Sequence, residues 1–158
     1  MDKQRYGENY QAHLIEQYKL YVEMSDRTSA RRVQMNSFYI YLLSGLIAAL
    51  SFLSDKQLLI NSQQKFLLLA ASTLGLILCI VWLFNIRAFK QLNSAKFDVI
   101  HEMEEFLPFS CYDREWEFIR QTKKMNYIQQ TNIEQVIPLI LATPYLVLFY
   151  YSLTSILK

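Results

Sequence analysis

Glycine is nearly missing from this chain of 158 residues, occurring only as Gly7, Gly45 and Gly75. Loops that cradle phosphates need clustered glycines so that backbone amides can approach the anion, so no nucleotide-binding loop can be assembled here. The two cysteines, Cys79 and Cys111, have no metal-ligand spacing. One lies deep in an apolar run and the other in a charged segment, so both are expected unpaired and reduced. Neither a cofactor nor a metal is expected. The net charge is only +2, without a basic cluster interleaved with aromatics, so no direct contact with nucleic acid is expected either.

Charge is the most unevenly distributed property. None falls in Val33 to Ser54, Phe66 to Ile86 or Gln135 to Leu157. Each run can cross about 30 Å of hydrocarbon as a helix, which takes roughly 20 residues. A soluble helix of that length needs a polar face, and Phe66 to Ile86 interrupts its leucines and isoleucines only with Ser72, Thr73 and Asn85. The first run starts too far into the chain, behind a mixed-charge segment, to be a secretory signal. Pro138 and Pro144 each remove a backbone donor from the third run and should bend it. That run is expected to span, with an interfacial or re-entrant hairpin as the alternative.

The fold class is therefore all-α: a small multi-span helical membrane protein with a cytoplasmic helical region. The expected organisation is a cytoplasmic amphipathic helix over 1–35, a transmembrane hairpin over 36–86 with spans at about 36–54 and 66–86, a cytoplasmic helical region over 87–134, and a C-terminal hydrophobic helix over 135–158. Arg27, Arg31 and Arg32 precede the first span and Arg87, Lys90 and Lys96 follow the second, whereas the connecting loop holds only Lys56 and Lys65. The positive-inside rule places the N-terminus in the cytoplasm and, with a third span, Lys158 outside.

The segments between the runs carry their own pattern. Leu14, Tyr18, Tyr21 and Val22 share one face of a helix over Tyr10 to Met24. Phe89, Leu92, Val99, Met103 and Phe106 recur in three- and four-residue steps, with only Lys96 out of character. This heptad-like stripe predicts a long helix leaving the membrane and packing on other helices, a candidate assembly surface. Pro108 should end it, and a shorter helix should follow with Ser110 as cap and Trp116 and Phe118 as anchors.

The segments "HLIEQYKLYVEMSDRTSARR" and "QLNSAKFDVIHEMEEFLPFSCYDREW" resemble the RipA-like family of small octameric membrane proteins of bacteria. The resemblance covers most of the chain and is weakest in the third run. It implies an inner-membrane protein assembling as a ring of eight. One relative accompanies RNA-targeting CRISPR systems, with a proposed pore activity; another supports growth of a pathogen inside host cells.

Three residue sets are candidates for function. Asp98, His101 and Glu105 lie on one helical face, with Glu102 and Glu104 nearby, and could form an acid–base pair or metal ligands. A solvated salt-bridged face is the favoured reading of these three. A HEPN-type ribonuclease needs an arginine shortly before a histidine, which neither His13 nor His101 has, so no enzymatic activity is expected. Ser37, Tyr41, Ser44, Ala48 and Ser51 form a small and polar seam on the first span, with Ser72, Gly75 and Cys79 on the second. Such seams let helices approach closely. Alternatively the first seam lines a water-filled lumen, neutral and therefore poorly ion-selective. Tyr145, Tyr150 and Tyr151 of the third run are expected to face lipid and the interface.

The functional expectation is a ring-forming pore-type membrane effector, in antiviral defence by the family resemblance. The alternative is a non-conducting scaffold for envelope or stress adaptation. A holin-like lysis protein is disfavoured by the patterned cytoplasmic segment. The expected partners are further copies of the chain, membrane lipid and a cytoplasmic protein that the sequence does not identify.

Overall fold

A computed structural model describes residues 6–55, 61–121 and 130–157. Lys56 and Lys158, on which parts of the sequence argument draw, lie outside them. Among the described residues four helices follow one another: α1 (Tyr10–Asp55), α2 (Asn61–Glu104), α3 (Cys111–Gln121) and α4 (Gln130–Leu157). The described residues contain no strand. Three helices, all but α3, are long and apolar enough to cross a membrane.

The N-terminal amphipathic segment and the first apolar run form one helix of 46 residues. The second run and the stripe beyond it likewise form one helix of 44 residues. At 1.5 Å per residue each extends over roughly 65 to 70 Å, about twice the thickness of the hydrocarbon, so half of each must lie beyond the bilayer core. No glycine or proline interrupts either helix at the change from charged to apolar sequence.

Contacts divide the chain into two compact units. Unit 1 comprises residues 1–32 and 89–128, and unit 2 comprises 33–88 and 129–158. Two of the three cuts fall within a residue or two of Arg32 and Arg87, where the charge pattern changes.

In unit 2, Tyr39 and Leu43 of α1, Cys79, Trp82 and Ile86 of α2 and Tyr145 of α4 form the buried core. The steps of three and four residues along α1 and α2 place these side chains on single faces. Gly75 has a structural reason: a Cβ there would collide with the Tyr145 ring. Ten residues earlier on α2, Lys65 Nζ donates to the carbonyl of Ser155, ten residues later on α4, at 2.6 Å. The two contacts make α4 run antiparallel to α2.

The third run is an uninterrupted helix through both prolines, with no hairpin in it. Pro144 cannot donate to the carbonyl of Ile140, and the Thr143 hydroxyl donates to that carbonyl instead, at 2.8 Å. This is the local repair that allows proline inside a membrane helix.

Unit 1 buries Leu14 and Ile100 together with Ser25, Lys96 and Glu104. Lys96, read as an interruption of the stripe, is in fact on the buried ridge Lys96–Ile100–Glu104, and its ammonium lies 5.1 Å from the centre of the Tyr21 ring. The ammonium sits on a π face instead of in water. The expected stripe lies one step round from that ridge. Phe89, Val99 and Met103 are half-buried, while Leu92 and Phe106 are exposed.

Candidate functional site: an outward small-residue face and a buried carboxylate

On α1, the residues that meet the rest of unit 2 are Tyr39, Leu43 and Leu50, with Ile40, Leu46 and Ile47 beside them. The sequence-predicted seam lies on other sides of the helix. Ser37 is half-buried, Ser44, Ala48 and Ser51 are exposed, and Tyr41 is 76% exposed. Among the described residues this face does not pack against the rest of the protomer. The second seam does the opposite: Ser72, Gly75 and Cys79 are buried within the protomer, with Tyr145 seated on Gly75.

Tyr145 is the clearest departure from the sequence reading. It was expected outside against lipid, yet it is fully buried, and its hydroxyl donates to the Leu43 carbonyl at 2.6 Å. Only a residue without a side chain, at Gly75, leaves room for the ring. Tyr150 and Tyr151 are 71% and 62% exposed on the outer side of α4.

Further polar pairs hold α1 against α2. Trp82 Nε1 donates to Asn36 Oδ1 at 2.9 Å, Asn85 Nδ2 donates to the Tyr39 hydroxyl at 2.7 Å, and the Tyr39 and Trp82 rings stack at 5.5 Å. Apolar surroundings leave such groups no water to bond, so the pairs fix the helix register. Sequence reasoning passed over them, although a signal was present. Asn36 and Tyr39 stand three residues apart in one run, and Trp82 and Asn85 three apart in the next.

In the charged cluster Asp98 and Glu105 are exposed and His101 is half-buried, and no group of three or more His, Cys, Asp or Glu able to hold a metal ion occurs among the described residues. The carboxylate with structure around it is Glu104, only 1% exposed. The Tyr18 hydroxyl donates to its Oε1 at 2.9 Å. The amide of Tyr112 donates to Oε1 at 3.0 Å, and that of Asp113 to Oε2 at 3.3 Å. Those amides belong to the first turn of α3, whose free N–H groups and dipole favour a negative charge.

Ser110 does occupy the cap position of α3, and its carbonyl accepts from the Arg114 amide at 3.1 Å. The bonds its side chain was expected to make are made by Glu104. α2 ends at Glu104, before Pro108, in turns closed by the amides of Phe106 and Leu107. Of the two expected anchors of α3, Phe118 is 64% exposed and Trp116 is half-buried.

Burial, and then the neighbouring Glu104, push the Tyr18 hydroxyl far above its ordinary pKa. Tyr112 is also raised, first by burial and next by Asp26. Both phenols therefore stay protonated, and Tyr18 remains a donor to the carboxylate.

No curated protein and no solved structure matches this chain. The octameric membrane protein family, 8xMP, matches residues 15–154, a range that covers most of both units and of all three apolar helices. This chain of long apolar helices, with its outward small-residue face, belongs to the octameric membrane protein family, and membership implies a homo-octamer.

Proposed function

We propose that the chain assembles as a ring in the bacterial inner membrane, N-terminus in the cytoplasm, and acts as a pore-type effector. The face of α1 from Tyr41 to Ser51 would line the lumen. The observation that carries this reading is the contrast among outward faces in unit 2. α2 exposes Leu74, Ile77, Ile80, Val81 and Phe84, and α4 exposes Leu139, Ile140, Leu146 and Val147. These suit lipid. Between Tyr41 and Phe52, α1 instead exposes Ser44, Gly45, Ala48, Ala49 and Ser51, with Leu42 the one large apolar side chain exposed among them. Small and hydroxylated residues suit either close approach of a second copy or contact with water. The reading involves no catalytic step, and a place in antiviral defence rests on the family resemblance alone.

Ser44→Leu tests it. A lumen residue made apolar should dry the pore, because hydrophobic constrictions gate by dewetting. Oligomer mass should then stay normal while depolarisation on overexpression is lost. If Ser44 packs between subunits, the bulkier side chain should break the oligomer and any activity together. Wild-type protein that never depolarises cells or liposomes would favour the closed scaffold. The orientation has its own check: a reporter fused after Arg120 should read cytoplasmic and one near Asn61 external. Val99→Asp with Met103→Asp tests the stripe. An unchanged oligomer mass would remove it from the assembly surface.

A further inference from the structure

We propose that the cleft between the start of α2 and the end of α4 binds the phosphodiester of a membrane phospholipid, with Lys65 as its cation and the hydroxyls of Tyr151 and Ser155 as further donors. The inference requires that both helices span the bilayer, and it is independent of conduction and of the direction in which the chain is inserted.

Lys65, Tyr151, Thr154 and Ser155 line one open cavity of about 250 Å³. It lies at the edge of the hydrocarbon. Lys65 immediately precedes the uncharged run that starts at Phe66, and Tyr151 to Ser155 stand in the closing turns of α4, which runs antiparallel to α2. Lysine and tyrosine at that depth reach the headgroup level. The half-buried Lys65 has three N–H donors, of which one goes to the Ser155 carbonyl, and no carboxylate pairs with it among the described residues. The C-terminal end of α4 offsets about half of an elementary charge, so the cleft keeps a net positive charge. The Thr154 hydroxyl is turned back onto the carbonyls of Tyr150 and Tyr151, whereas the hydroxyls of Tyr151 and Ser155 have no partner among the described residues.

Two features favour a lipid over free phosphate. One cation partly offset by a helix end suits a singly charged phosphodiester better than inorganic phosphate, which carries more than one negative charge at pH 7. From Tyr151 the exposed side chains of Val147 and Ile140 continue one face of α4 towards the middle of the span, an apolar lane for an acyl chain. A basic pocket between membrane helices is the arrangement that holds phospholipid headgroups.

Native mass spectrometry of the full-length oligomer, titrated with phosphatidylglycerol, with a diacylglycerol of the same chains and with inorganic phosphate, tests the site. Phosphatidylglycerol should bind about fivefold tighter than the diacylglycerol or more, the effect of one lysine near an anionic lipid. Lys65→Gln should weaken phosphatidylglycerol by about fivefold, and Lys65→Arg by less than about twofold. Tyr151→Phe and Ser155→Ala leave the bond from Lys65 to the Ser155 carbonyl in place, and each should weaken the lipid by about twofold or more. These two variants decide the matter if Lys65→Gln fails to assemble. Binding by Lys65→Gln within about twofold of wild type would overturn the proposal. So would two hydroxyl variants that both bind like wild type, since Lys65 would then serve only to hold α4. Displacement of the lipid by millimolar inorganic phosphate would overturn it as well, because the site would then be one for free phosphate.

Discussion

Unit 2 buries large apolar and aromatic side chains, Leu43, Trp82, Ile86 and Tyr145, whereas unit 1, among its described residues, fully buries one large apolar side chain, Ile100, beside a charged one, Glu104. The difference follows from composition, but its consequence runs against intuition. In unit 2 the apolar residues point both inward and outward, so apolarity cannot choose the packed face, and in lipid it supplies little drive for association. Choice falls to the exceptions: a glycine that admits a ring, an indole N–H that finds an amide oxygen, a tyrosine hydroxyl that finds a carbonyl. In unit 1 charged residues are interspersed with apolar ones, so faces are easily told apart, but the core is small among the described residues, and it includes a lysine on a tyrosine ring and a carboxylate on a helix terminus.

One device is common to both. α2 offers Lys65 to a carbonyl in the last turn of α4 and Glu104 to the first turn of α3, so each charge meets the helix end of opposite sign.

The largest effect is expected where unit 2 depends on an exception. Gly75→Ala should cost about 1–3 kcal/mol through overpacking against Tyr145, seen as a lower unfolding temperature in detergent. Tyr145→Leu added to it should recover part of the loss. If Gly75→Ala alone is neutral, the close approach does not govern packing.

Asn36→Leu comes next. It strands the buried Trp82 N–H and should cost about 0.6–2 kcal/mol. The same change at exposed Ser44 leaves no buried donor unpaired, so thermal unfolding of the two variants side by side separates register from surface.

Lys96→Met asks whether unit 1 needs its buried charge. Replacing such a charge by an apolar chain of similar length is often neutral or stabilising, so a change within about 1 kcal/mol is expected in chemical unfolding of unit 1. A larger loss would show the ammonium–ring contact to be essential.

The smallest effect is alkaline loosening of unit 1. Above about pH 10 an unfolded tyrosine has lost its proton while Tyr18 and Tyr112 in the fold retain theirs. The unfolded state then binds fewer protons, so stability falls as pH rises. Exchange around Tyr18 should quicken between pH 9 and 11 more than exchange around Leu43.

The amphipathic face of Leu14, Tyr18, Tyr21 and Val22 was legible because a helix repeats every 3.6 residues and charge marks its outer side. The outward position of Tyr145 was misread because an aromatic in an apolar run has no neighbouring polarity to say which way it points. Lys96 was set aside for the opposite reason: charge alone suggests exposure, and only the Tyr21 ring makes burial tolerable. Glu104 was nearly invisible. Its partners stand 86, 8 and 9 residues away, and no local rule links a carboxylate at the end of one helix to the first turn of the next.

What the sequence by itself determined is the all-helical, membrane-spanning class and the family, because uncharged runs of span length allow no other backbone in hydrocarbon and because hydrophobic period is a local property. What only the tertiary structure decided is which side of each apolar helix faces its neighbours, that Gly75 receives Tyr145, and that Glu104 holds α3. Each of these depends on two groups distant in the chain meeting within a few ångströms, and such a meeting is created by packing and leaves no periodicity behind.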